Sequence, residues 1–201
     1  DVLVYLLAGN IAEILIVFIG MMFGLEIFVP IQLLYLNLVT DSLPAISLSF
    51  EEAEDDVMDR SSKTNKSFFT PFLVAKMCLS AILKTIAVLT VYFISTKLFG
   101  IEVASTMTFL LLILLETYYA FSCKNLKQDI IEGKVFSNKY LNTVTIFLMI
   151  MQIIVFNTPI KDLFGIVDIN IWQVIFCVTV VAIVFVIDET TKPWMVKTFK
   201  D

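Results

Sequence analysis

Histidine is absent from the 201 residues, which argues against a zinc or other imidazole-built metal centre. Charge is scarce as well. Asp, Glu, Lys and Arg make up 16% of the chain against 59% hydrophobic residues, and the mean hydropathy is +0.91. That is too little charge for the surface of a soluble domain of this size, so an integral membrane protein is expected. Cysteine is limited to Cys78, Cys123 and Cys177, odd in number and in or beside apolar runs, which predicts reduced, packed thiols. There is no internal repeat, no low-complexity tract and no stretch resembling a soluble catalytic domain. A secretory leader and an initiator methionine are also missing, and the chain opens at Asp1 inside an apolar run. The expectation is a piece of a longer protein. The net charge of −5 identifies no partner, because the charges fall in short loops, and nothing points to nucleic acid.

What is present is a series of long apolar runs. A helix needs about 20 apolar residues to cross a hydrocarbon core of ~30 Å. Six segments meet or approach that length: 2–23, 31–50, 68–96, 104–123, 140–156 and 169–187. Thr70-Pro71 predicts a helix start in the third, and Asp168 is placed to cap the sixth. The runs are continuous rather than alternating, so the expected fold is an all-α membrane domain of six helices, not a β-barrel.

Loop charges predict the orientation. Arg60, Lys63, Lys66, Lys124, Lys127, Lys134, Lys139, Lys192, Lys197 and Lys200 fall on one side, and only Lys97 and Lys161 on the other. The positive-inside rule puts the loops 51–67 and 124–139 and both chain ends in the cytosol. The acidic run from Glu51 to Asp59 does not oppose this, since acidic residues hardly affect topology.

The polar residues inside the spans carry the functional information. The second span reads Pro30-Ile-Gln-Leu-Leu-Tyr-Leu-Asn37-Leu-Val-Thr40-Asp41-Ser-Leu-Pro44. On a helix Asn37, Thr40 and Asp41 share a face, which gathers amide, hydroxyl and carboxylate oxygens. Pro44 cannot bond the carbonyl of Thr40, so the helix should kink or unwind there. The first span adds Asn10 and Glu13 on one face, and the fourth adds Glu116. A carboxylate at the bilayer centre costs a few kcal/mol unless compensated, so three at matching depth favour an ion site over incidental polar contacts between helices. All six residues offer oxygen and none offers imidazole or sulfur. A flexible shell of oxygens suits calcium better than magnesium, which retains water and demands a regular octahedron.

Two lysines and three aromatics need separate readings. Lys84, midway along the third span, is either a counter-charge to the acids or is paired with a local carbonyl or water. Lys76, nearer the cytosolic end, is expected to snorkel. Tyr140, Trp172 and Trp194 lie near span ends and read as interfacial anchors.

The motif Leu-Asn37-Leu-Val-Thr40-Asp41-Ser-Leu-Pro44-Ala, followed by Asp56-Val-Met-Asp59-Arg60, resembles the sixth transmembrane helix and following loop of P-type cation-transporting ATPases. The likeness is greatest to the calcium pumps of the sarco/endoplasmic reticulum and their bacterial relatives. Asn10-Ile-Ala-Glu13 is similar to their fifth helix and Glu116 marks their eighth, so the chain would supply the fifth to tenth helices. The resemblance implies that Asn10, Glu13, Thr40, Asp41 and Glu116 line one Ca2+ site, and that Asn37 and Asp41 contribute to a second. A glutamate and carbonyls from a fourth helix outside this chain would complete the second site. ATP and Mg2+ would act only through cytosolic domains also outside it, so this chain alone could not hydrolyse ATP. The implied partners are the lipid bilayer and the rest of the same pump, and the implied location is the plasma membrane of a bacterium. Pro44-Ala-Ile-Ser-Leu-Ser-Phe50-Glu-Glu-Ala-Glu departs towards the sodium/potassium pumps, but those carry an acid where this chain has Asn37. The rival readings are a sodium/potassium or manganese pump, a passive channel or secondary transporter, and a six-helix scaffold.

Overall fold

Thr70 and Pro71 open the longest helix as their order predicts. The Thr70 hydroxyl accepts from the Leu73 amide at 3.4 Å, and Pro71 takes the first helical position, where its missing N–H leaves nothing unmade. The computed structural model describes residues 2–50, 70–124 and 137–199. The elements are α1 (Val2–Met22), α2 (Pro30–Tyr35), a π-helical turn (Leu36–Asp41), α3 (Ser42–Ser49), α4 (Pro71–Phe99), α5 (Ile101–Lys124), α6 (Lys139–Asn157), a 3₁₀ turn (Pro159–Phe164) and α7 (Ile171–Thr198). Counting α2, the π turn and α3 as one continuous span, six helices among the described residues are long and apolar enough to cross a membrane. No strand occurs among the described residues.

Glycines make the tight reversals. α1 ends at Gly24 with φ 67°, and the Leu25 amide reaches back to the Gly20 carbonyl at 2.8 Å. A left-handed residue at this place closes a helix, and glycine adopts it without strain. Gly100, φ 93°, is the whole link between α4 and α5, which pack side by side as an antiparallel pair. α1 packs against α4 and α5, α7 against α4 and α5, and α3 against α6.

The bundle interior is split into two apolar clusters. One gathers Ile16, Tyr35, Leu36, Val88, Val91, Phe109, Leu112 and Leu115. The other gathers Val4, Tyr5, Ala8, Ala45, Leu48, Phe72, Met77, Tyr119 and Cys123. Along four consecutive spans the sequence passes from one cluster to the other across a short gap. The gaps contain Gly9 to Glu13 on α1, Asn37 to Asp41 on the second span, Lys84 on α4 and Glu116 on α5. A polar layer therefore crosses the middle of the bundle, bounded by hydrocarbon on both sides.

Four expectations are corrected. Asp168 does not cap α7: it pairs with Lys161 at 2.5 Å, while Asn170 caps the helix by accepting from the Gln173 amide at 3.0 Å. α7 also runs past Ile187, through Pro193, to Thr198. Lys76 does not snorkel. It is fully buried and donates to Asp188 on α7 at 2.5 Å, with Tyr118 and Ser122 of α5 donating to the same carboxylate at 2.7 and 3.0 Å. Cys123 and Cys177 are buried free thiols as expected, whereas the free Cys78 is exposed. Tyr140, Trp172 and Trp194 are exposed. The acidic run, the motif from Asp56 to Arg60 and the cations Arg60, Lys63, Lys66, Lys127, Lys134 and Lys200 lie outside the described residues.

Candidate cation site

Proline at position 44 gives the second span its shape. Pro44 has no amide hydrogen for the carbonyl one turn earlier, and the chain responds not by breaking but by widening into the π turn Leu36–Asp41. Side chains serve the loosened backbone. The Ser42 hydroxyl donates to the Asn37 carbonyl at 2.9 Å, the Asn37 amide to the Leu33 carbonyl at 3.0 Å, and the Tyr5 hydroxyl to the Thr40 carbonyl at 3.1 Å. Helical structure continues on both sides, so the expected kink is realised as a local change of pitch.

The π turn sets Thr40 and Asp41 inward, both buried, and leaves Asn37 exposed. Asn37 nevertheless reaches α1, where its amide donates to Glu13 Oε2 at 2.6 Å. Glu13 Oε1, both oxygens of Asp41 and the Thr40 hydroxyl are buried without a hydrogen-bond partner. Burying polar oxygen unpaired is costly, and a buried group left so calls for a partner such as an ion.

Gly9 makes room for two of these acids. A methyl group at this position would lie 3.2 and 3.3 Å from the two Glu116 carboxylate oxygens and 3.4 Å from Asp41 Oδ2. The missing side chain lets carboxylates from α5 and from the π turn close on the α1 backbone. Glu13 follows Gly9 by one helical turn on the same side of α1. Asn10, half-buried next to Gly9, takes no part in the hydrogen bonding of the layer. The layer is not a closed cage: among the described residues no three acids stand close enough to enclose a metal by themselves.

Lys84 settles on Glu116. Its ammonium donates to Glu116 Oε2 at 2.7 Å, with both side chains buried, and lies 4.1 Å from the centre of the Tyr119 ring. The local-carbonyl alternative for Lys84 is thereby set aside. The other Glu116 oxygen, Oε1, has no partner.

Sequence reasoning missed Gly9, Tyr5, Tyr119 and Asp188. Gly9 left a signal, since a glycine one turn from an intramembrane acid marks close approach. Tyr119, three residues after Glu116, shares its face and carried a weaker one. Tyr5 and Asp188 gave none, because their partners are 35 and 112 residues away.

A family model described as "Cation transporting ATPase, C-terminus" matches residues 25–194. The chain is 31% identical over 167 residues to a calcium-transporting ATPase of Bacillus subtilis, covering 80% of this chain and 18% of that protein. It is 31% identical over 164 residues to a calcium-transporting ATPase of Listeria monocytogenes, covering 81% of this chain and 18% of the relative. A shorter match, 45% over 60 residues, is to an endoplasmic reticulum calcium ATPase of Aspergillus fumigatus, covering 29% of this chain and 6% of that protein. The chain spans about a fifth of the length of the first two relatives.

Proposed function

The chain belongs to the cation-transporting ATPases, as their C-terminal membrane region, and from that premise we propose that it forms the ion path of an ATP-driven pump exporting calcium from the cytosol. One observation carries the reading. Asp41, on the π turn, is buried with both carboxylate oxygens unpartnered, and stands across Gly9 from Glu116. An acid so placed gains most from a hard cation with flexible coordination, and the names of the relatives make calcium the first choice.

Asn10, Glu13, Thr40, Asp41 and Glu116 supply one group of oxygens, and Asn37 with Asp41 a second. Asn37 holds Glu13 through its amide hydrogens and keeps its side-chain oxygen Oδ1 for the ion. Groups elsewhere in the pump complete the coordination, which fits the absence of a closed acidic cage among the described residues. ATP and Mg2+ act in those other parts. Their motion is transmitted as a tilt of α1 against the second span, and the layer opens because its oxygens are divided between those elements. The bilayer surrounds the bundle, and the plasma membrane of a bacterium is the setting we assign.

Asp41→Asn in the full-length pump tests this. Asparagine keeps the shape but removes a charge and a coordinating oxygen, so calcium-dependent phosphorylation by ATP should be lost while the protein still folds. Near-normal calcium dependence in that variant would sink the assignment. Phosphorylation that instead follows sodium or manganese would move the site to another ion.

A further inference from the structure

We propose that Lys84 is a resident cation, holding the Glu116 side of the polar layer permanently, so that this pump binds and carries one calcium ion per cycle rather than two. The inference rests on the pump reading above and concerns the number of ions, not their identity.

Two separate observations lead to it. The first is geometric. The Lys84 ammonium is 2.7 Å from Glu116 Oε2, the two side chains are 2% and 1% exposed, and the Tyr119 ring lies 4.1 Å away on another side of the charge. A cation over an aromatic face and against a carboxylate, out of water, is stabilised in the way a bound ion would be. The Glu116 oxygens are also the ones that Gly9 admits to the layer. The ammonium therefore takes the place of a calcium in the group of oxygens that includes Glu116, and the group of Asn37 and Asp41 remains for the transported ion.

The second observation is charge. Glu13, Asp41 and Glu116 contribute three negative charges to the layer and Lys84 returns one, leaving two. One further acid supplied by the remainder of the pump raises this to three. Two calcium ions bring four positive charges, and an uncompensated charge in a low-dielectric interior is strongly disfavoured. One calcium balances the two charges this chain leaves, and a further acid can be met by a proton, whereas two calcium ions leave a positive charge that no residue of the layer neutralises. Lys76, two helical turns earlier on α4, does not alter the count, because Asp188 already neutralises it.

Lys84 cannot easily step aside during the cycle. Leaving Glu116 would strand an ammonium in a core bounded by the two apolar clusters. It therefore acts as a fixed charge in both the loaded and the unloaded pump.

The test counts ions in the full-length pump. Radioactive calcium bound at equilibrium is measured per phosphorylation-competent molecule, beside calcium transported per ATP hydrolysed in sealed vesicles. The wild-type pump should bind one calcium without cooperativity and transport one per ATP. Lys84→Arg keeps the charge and should keep that count. Lys84→Met keeps the length, frees Glu116 and should raise equilibrium binding from one ion to two. Two ions bound cooperatively by the wild type overturn the proposal, as does an unchanged count of one in a folded Lys84→Met. If Lys84→Met does not fold, the wild-type count decides alone. No calcium binding at all would defeat the calcium-pump reading instead, so the two failures are distinguishable.

Discussion

Gly9 shows how much one missing side chain can decide. Alanine is normally the better helix former in a helix interior, by about 1 kcal/mol, so on helix propensity alone Gly9→Ala would favour folding. The added methyl would nevertheless press on Glu116 and Asp41 from 3.2 to 3.4 Å. Those are far ends of side chains and can give way, but only by moving the oxygens proposed to face the ion. Overpacking of this kind costs ~1–3 kcal/mol, so calcium affinity should fall roughly tenfold or more. Calcium titration beside a thermal unfolding curve separates the two effects. Unchanged affinity would mean that the layer seen around Gly9 is not where the ion sits. Tyr5 acts one step further out. Its hydroxyl serves the Thr40 carbonyl and its ring stacks on Tyr119, 6.3 Å between centroids, which links the π turn to the aromatic face under Lys84.

At the scale of elements, the ends of the spans were harder to read than their middles. Thr70-Pro71 is a local signal and gave the start of α4 directly. Asp168 and Asn170 are both good caps only two residues apart, and the choice between them fell to Lys161, which draws Asp168 away. The end of α7 was hidden for a different reason. Asp188-Glu-Thr-Thr-Lys-Pro reads as the polar exit from a membrane, yet Asp188 and Lys192 are buried, because α4 and α5 bring Lys76, Tyr118 and Ser122 to meet Asp188. Hydropathy registers charge but not its partner. The polar layer was legible, by contrast, because unpaired acids in apolar helices stand out whatever the fold. The Lys76–Asp188 pair joins α4 to α7 through α5, and its role is mechanical. Lys76→Met strands a buried carboxylate, which typically costs about 3–5 kcal/mol. The thermal midpoint in detergent should drop clearly while calcium affinity at the layer stays within about twofold, a change of less than 1 kcal/mol. A matching loss of calcium binding without loss of stability would move this pair from the scaffold into the ion path.

For the whole molecule, the remaining question is which end faces the cytosol. α3, α5 and α7 finish at the end where α4 and α6 begin, and this end carries Lys139 and Lys197 as exposed cations. Lys97, also exposed, and Lys161 belong to the opposite end. Lys124 and Lys192 weigh less on topology than their positions suggest, because both are buried, Lys192 against Glu189 at 2.7 Å. The exposed cations still favour the Lys139 end as cytosolic, and the free thiols offer a clean way to ask. Cys123 and Cys177 are buried and Cys78 is exposed, so Cys78→Ser removes the exposed thiol of this region, and cysteines elsewhere in the pump are replaced with it to give a background silent to a membrane-impermeant maleimide. Added to that background in the full-length pump in intact cells, Lys97→Cys should label from outside. Lys139→Cys should label only once the membrane is opened. The reverse pattern would invert the bundle and turn the proposed export of calcium into uptake, with every contact in the polar layer unchanged.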